Sequence, residues 1–215
     1  MSSVVISGDT SGAITLAAPA VAGTNTLSLP AQTATIATLT TPSFATTIGV
    51  GGATAAASGA GITFPSTQSA STDANTLDDY EEGTWTMVLE GTGGSAGSYA
   101  ASINLGRYVK IGRFVYVTGY IVLTNKGSWT GNVYITGLPF TVNNGSDSYS
   151  LTSVYYVAVT LAGTAYGIVG YPQINSSRIE LTKNQATTSG VAVDFSELAN
   201  NSQIGPIGLG YYASA

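Results

Sequence analysis

From Thr84 onward the chain is a succession of short runs rich in Val, Ile, Tyr and Thr, cut at regular intervals by glycine and asparagine. TWTMVLE (84–90), SYAASI (98–103), GRYVKIG (106–112), RFVYVTGYIVLT (113–124) and GNVYITGL (131–138) come first. SLTSVYYVAVTL (150–161), AYGIVGY (165–171), SRIELTK (177–183), GVAVDF (190–195) and IGLGYYA (207–213) follow. GTGGSAG, NKGSWTG, NNGSDS and TTSG separate several of them. Such runs suit a pleated, half-buried surface, and the separators supply turns. No stretch sustains a 3.6-residue period, although FSELANN (195–201) admits one helical turn. The pattern predicts an antiparallel β-sandwich or barrel rather than βαβ units.

The chain before residue 80 is different. It holds only Phe44 and Phe64 of the aromatic residues, and none of Arg107, Lys110, Arg113, Lys126, Arg178 and Lys183, the six cations of the protein. SVVIS-GDTSG-AITLA (3–17) predicts a hairpin, and NTLSLPA (25–31) and TATIATL (33–39) add two short alternating runs. The run GVGGATAAASGAG (49–61) then carries almost no side chain. Fixing a backbone residue costs about 1–2 kcal/mol, and burial of Ala and Thr returns little. Residues 1–79 are therefore expected to form an attachment arm and Gly/Ala/Ser/Thr-rich stalk ordered by partners, and residues 80–215 a self-sufficient β domain.

Composition removes several kinds of chemistry. There is no cysteine and no histidine, so thiol nucleophiles, Ser-His-Asp arrangements and the commonest zinc ligands are excluded. Charged residues make up 8% of the chain, against about 25% for an ordinary soluble domain. A formal net charge of −5 argues against nucleic acid as a partner. The N-terminus lacks a basic stretch, and Ser7 to Ser11 interrupt any apolar core, so neither a signal peptide nor a membrane-inserting segment is expected.

NTLDDYEEGTWT (75–86) concentrates Asp78, Asp79, Glu81 and Glu82 around Tyr80. Its spacing fits neither an EF-hand loop nor a glycosidase carboxyl pair, whose members come from different strands. A solvated connector, or one paired to Arg107, Lys110 or Arg113 of GRYVKIGR (106–113), is the expectation; an irregular cation site is the sharper alternative. In 113–124, Val115, Val117, Ile121 and Leu123 form one aliphatic face, while Phe114, Tyr116 and Tyr120 lie on the other and suit a subunit interface. Trp129, Tyr149 and Tyr171, on or near turns, are candidates for stacking on sugar rings. A carboxylate hydrolase would draw on Glu90, Asp147, Glu180, Asp194 and Glu197, whose spacing selects no pair. The glycine-rich run matches no phosphate-loop motif, and no cofactor or resident metal is expected.

ITLAAPAVAGTNTLSLPA, GVGGATAAASGAGITFPSTQSASTDANTLDDYEEGTWT, GRYVKIGRFVYVTGYI and TGLPF together resemble modules of tailed-bacteriophage virion proteins of the tail-fibre, tail-spike or particle-surface kind. The resemblance covers most of residues 10–140 and weakens afterwards. It implies an all-β protein with an extended N-terminal arm attached to tail or capsid proteins and a C-terminal antiparallel, jelly-roll-like β-sandwich knob, assembled as a homotrimer in the bacterial host cytoplasm. A non-enzymatic fibre-type appendage that binds host surface glycan is the first implication. A head decoration or cement protein is the second; a carboxylate-dependent glycan depolymerase is a remote alternative of a different class, for which the resemblance supplies no catalytic motif. The motif usually continues GTWTP, whereas here Met87 stands in place of the proline, a residue that a continuous strand tolerates.

Overall fold

The computed structural model describes residues 3–7, 13–17, 47–56, 58–100, 103–186 and 190–214. The chain divides into two compact units, Met1–Ser43 and Phe44–Ala215. In the first, β1 (Ser3–Ser7) and β2 (Ala13–Ala17) pair antiparallel, Ser3 opposite Ala17 and Ser7 opposite Ala13. That is the hairpin its turn chemistry predicts. The alternating runs at 25–31 and 33–39 lie outside the described residues.

The second unit begins with β3 (Thr47–Gly49) and β4 (Gly61–Thr63), a short parallel pair spanning the glycine-rich run. Then come β5 (Tyr80–Thr86), β6 (Val88–Glu90), β7 (Ser98–Tyr99), β8 (Leu105–Ile111), β9 (Phe114–Asn125) and β10 (Tyr134–Thr136). They are followed by β11 (Thr152–Val154), β12 (Tyr156–Val159), β13 (Ala165–Pro172), β14 (Arg178–Gln185), β15 (Val191–Ala192) and β16 (Leu198–Tyr212). One sheet has the order β12-β16-β9-β8-β5, with β7 also on β9; the other runs β11-β13-β14-β10-β6, with β15 on β14. All pairings within these two sheets are antiparallel. The β8–β9 hairpin turns on Gly112 and Arg113, and Gly112 takes a φ of 56° that its missing Cβ permits.

The alternation of β9 brings the sheets together. Val115, Val117, Ile121 and Leu123 are buried, as their common face predicts. Ile204, Leu209 and Tyr211 of β16 continue that surface, and Leu89, Ile135, Ile179 and Leu181 of the other sheet meet it in one apolar cluster. Full burial of a side chain of this size contributes about 1.5–3 kcal/mol relative to exposure. The result is an all-β sandwich of two stacked sheets. Tyr211 places its hydroxyl on the Phe140 carbonyl at 3.1 Å, and burial drives its pKa far above the ordinary phenol range.

Two predicted strands are divided, and a third is longer than predicted. TWTMVLE is not one strand: β5 ends at Thr86 in the β9 sheet, and β6 resumes at Val88 in the β14 sheet. Met87 is the corner between them, fully buried, its amide donating to the Asn104 carbonyl at 2.7 Å and its sulfur packed against Gly119. Proline has no amide to give there. SLTSVYYVAVTL likewise breaks at Tyr155 into β11 and β12, which belong to different sheets. The helical turn foreseen at 195–201 is a 3-10 turn over Phe195–Glu197, after which β16 runs from Leu198 and not from Ile207. The ladder with β9 shifts register between Ile204 and Ile207, at a bulge that holds Pro206.

Trp85, immediately before the corner, donates its indole N–H to the Thr118 carbonyl at 3.0 Å and packs over Gly106. A Cβ at Gly106 would collide with the indole and with the Thr118 backbone. Gly106→Ala is therefore expected to destabilise the protein by about 1–3 kcal/mol, the usual cost of overpacking a core, read as a lower midpoint in urea unfolding. An unchanged midpoint would contradict this packing.

Candidate functional site

The acidic segment does not converge on one point. Asp79 is buried and forms an ion pair with the equally buried Lys110, whose ammonium also donates to Gln68 Oε1 at 3.1 Å and faces the Phe140 ring. Asp78 accepts from the Ser71 amide (2.8 Å) and Gln68 Nε2 (3.1 Å), and the Ser71 bond is the main cause of its lowered pKa. Tyr108 donates to Glu81 at 3.3 Å, and Tyr80 donates to Glu82. Glu82 is thus joined to a neighbour on its own strand. Among the described residues no group of three carboxylates converges as metal ligands would.

Of the three cations expected near this segment, Lys110 pairs with it. Arg113 instead donates twice to the Ala213 carbonyl, at 2.9 and 3.1 Å. Arg107 is exposed on the outer face of β8, opposite Thr84 and Thr118. Breaking one side of a buried ion pair strands the other charge. Asp79→Asn is expected to cost about 3–5 kcal/mol in denaturant unfolding, and replacing both partners by Leu and Met considerably less. Equal losses would mean that the pairing itself, and not the stranded ammonium, sets the cost.

The two sheets present unlike outer faces. On the β9 sheet, Tyr80, Ile111, Phe114 and Tyr212 are mutually opposite across four strands, and Tyr116 lies two residues along from Phe114. Phe114 and Tyr116, expected at an interface, are exposed, whereas Tyr120 is half-buried and donates to Gln203.

On the β14 sheet the opposing residues are Tyr171, Glu180, Tyr134 and Glu90, again across four strands. Residues opposite one another share a face, so two phenol rings alternate with two carboxylates. Arg178 adds a 2.8 Å ion pair to Glu180, and its guanidinium lies over the Tyr134 ring, 4.2 Å from the centroid. Tyr149 meets Tyr171 with ring centroids 6.0 Å apart. Burial raises the Glu180 carboxyl above its ordinary value, with Arg178 opposing. Burial also raises Tyr171, and the Glu180 charge adds to that.

Two of the three candidate sugar-stacking rings, Tyr149 and Tyr171, are therefore brought together. Trp129 is not part of that row: it is half-buried against the apolar cluster, and its indole N–H is buried with no partner among the described residues. Tyr134 and Arg178 are missing from the sequence-based candidates. Only the cross-strand register puts them beside Tyr171, and no local motif encodes that register.

The remaining candidate carboxylates have structural partners. Glu197 is buried and accepts from Lys183 Nζ (2.9 Å), the Asp194 amide (2.8 Å) and the Ala162 amide. Burial pulls its pKa up, but these donors outweigh that and the net shift is downward. Asp194 caps the 3-10 turn through the Ser196 amide and hydroxyl, which lower its pKa. Asp147 lies exposed on the Ser146–Ser148 turn.

Glu180 yields a pH test. Its folded pKa stands above the ordinary 4.5, so the folded protein holds this proton more tightly than the unfolded chain. Its contribution to stability is complete below the unfolded value and is lost as pH rises through the folded value. The stability of the protein relative to Glu180→Gln is expected to fall across that window, measured as paired urea midpoints from pH 4 to 7. A difference that does not vary with pH would contradict the shift.

Neither a protein-family model nor a curated protein matches the sequence. Among solved structures, the chain is similar to the crystal structure of the Dettilon tailspike protein (gp208), with a TM-score of 0.52 and 20% identity. The likeness covers 62% of this chain and 24% of that one, so this chain corresponds to about a quarter of the tailspike's length. At that identity the shared property is the fold.

Proposed function

We propose that this protein is a structural component of a tailed-bacteriophage virion, a surface-projecting β-sandwich that takes part in host recognition. Its fold is shared with part of a phage tailspike protein, and its sequence modules resemble those of virion surface proteins. In this reading residues 1–79 attach to other tail or capsid proteins, and residues 80–215 form a jelly-roll-like knob in a trimeric, tail-fibre-type appendage.

The observation that carries the recognition role is the row Tyr171–Glu180–Tyr134–Glu90, flanked by Tyr149 and Arg178. Aromatic rings offer apolar faces to the C–H side of a sugar, and carboxylate and guanidinium groups bond its hydroxyls. An open sheet face leaves each such contact weak. Several copies on one particle then raise avidity by factors on the order of 10² to 10⁴ without new contacts. We read the site as binding rather than hydrolytic, because Glu180 is held by Arg178 and Glu197 by Lys183.

Retention of the protein on immobilised host surface polysaccharide tests this. Tyr171→Ala and Tyr134→Ala are each expected to weaken binding about tenfold or more, in line with about 1–3 kcal/mol for an aromatic stacking contact. Retention unchanged in both variants would end the assignment to this face. New reducing ends that vanish in Glu180→Gln would convert the reading to a depolymerase. Immunogold labelling confined to capsid faces would favour the decoration role.

A further inference from the structure

The β9 sheet carries an apolar surface that is exposed among the described residues. Tyr80, Leu105, Ile111, Phe114, Tyr116 and Tyr212 are each 41–51% exposed. Phe114 and Tyr116 lean over Gly210 and Gly208, where a Cβ would stand only 2.7 Å from Phe114 Cζ and 2.5 Å from the Tyr116 hydroxyl. Phe114 also meets Tyr212 edge-on at 5.7 Å. The glycines let the rings lie low, which broadens the surface. Six such side chains expose on the order of 500–600 Å². That is at the upper end for a soluble monomer, and most of the roughly 800 Å² that each partner buries in a standard interface.

Charge on the same face is unbalanced in a specific way. Among the described residues every cation but one has a recorded partner: Lys110 with Asp79, Arg113 and Lys126 with backbone carbonyls, Arg178 with Glu180, and Lys183 with Glu197. Arg107 has none, and it borders a groove of about 380 Å³ with Leu105, Thr118, Tyr120 and Pro206. Glu82 shares this outer face, opposite Val109 and one strand over, and among the described residues it is bonded to Tyr80 alone. The surface therefore bears an unpaired cation and a nearly free anion side by side on apolar ground. Copies of this surface gathered around a threefold axis are complementary, because each Arg107 can meet Glu82 of the next copy and the third contact closes the ring.

We propose that this face is the contact between copies of the chain, with Tyr116 and Phe114 at its centre and Arg107 and Glu82 setting the register. It rests on the homo-oligomeric reading above and specifies the surface that makes it. The experiment is sedimentation velocity of the full-length chain over a concentration series, for the unaltered protein, Arg107→Glu, Glu82→Arg, the Arg107→Glu/Glu82→Arg double variant and Phe114→Ser/Tyr116→Ser.

The unaltered chain is expected to associate. Each single reversal should weaken association about tenfold, the double exchange should restore it to within about threefold, and the Ser pair should abolish it. All the altered side chains sit on an exposed face, and thermal melting of each variant separates lost contact from lost fold. A chain that stays monomeric would overturn both the inference and the oligomeric reading. An oligomer indifferent to the reversals and to the Ser pair would overturn the inference alone.

Discussion

Trp85 and Met87 pass the chain from one sheet to the other, and the sandwich depends on that passage. The indole is held by the Thr118 carbonyl and rests where Gly106 has no side chain; the Met87 sulfur occupies the space Gly119 leaves. Two glycines facing each other across β8 and β9 thus receive two large side chains from the strand beside them. The Met87 amide, bonded to Asn104, keeps the turn from leaving a buried donor unsatisfied. With this corner in place, β5 extends the β9 sheet, β6 edges the β14 sheet, and the aliphatic faces of both meet.

The same alternation that fills the core creates two outer faces, and the chemistry divides between them. Inward positions are mostly apolar, and the two lysines among them, Lys110 and Lys183, are each neutralised by a buried acid. The outer face of the β9 sheet is apolar and ringed by little charge, which suits contact with protein. The outer face of the β14 sheet alternates phenols with carboxylates and an arginine, which suits a hydroxyl-rich ligand. The proposed division into a binding face and an assembly face is what a part working in several copies on a particle would need.

Much of this was legible in the sequence wherever period-2 alternation was uninterrupted. Val115, Val117, Ile121 and Leu123 announced a core face, and SVVIS-GDTSG-AITLA announced the β1–β2 hairpin. The breaks at Met87 and Tyr155 were not legible, because a strand that changes sheets keeps its apolar character across the corner. The first half of β16 was hidden too, since FSELANN read as a helical turn and Pro206 interrupts the run, while pairing with β12 and then β9 draws the segment into the sheet. The Tyr171–Glu180–Tyr134–Glu90 row joins residues from β6, β10, β13 and β14, so only strand register reveals it. Asp79 was visible as part of an acidic run, but its burial against Lys110 depends on how 61–79 approach β8.

A cryo-EM map of the phage particle proposed to carry this chain is the most direct test. The account predicts several symmetry-related copies on the particle surface, packed through Tyr116 and Phe114, with Tyr134 and Tyr171 facing solvent. Copies whose Tyr171 face is buried against capsid or tail protein while the Tyr116 face stands open would contradict it.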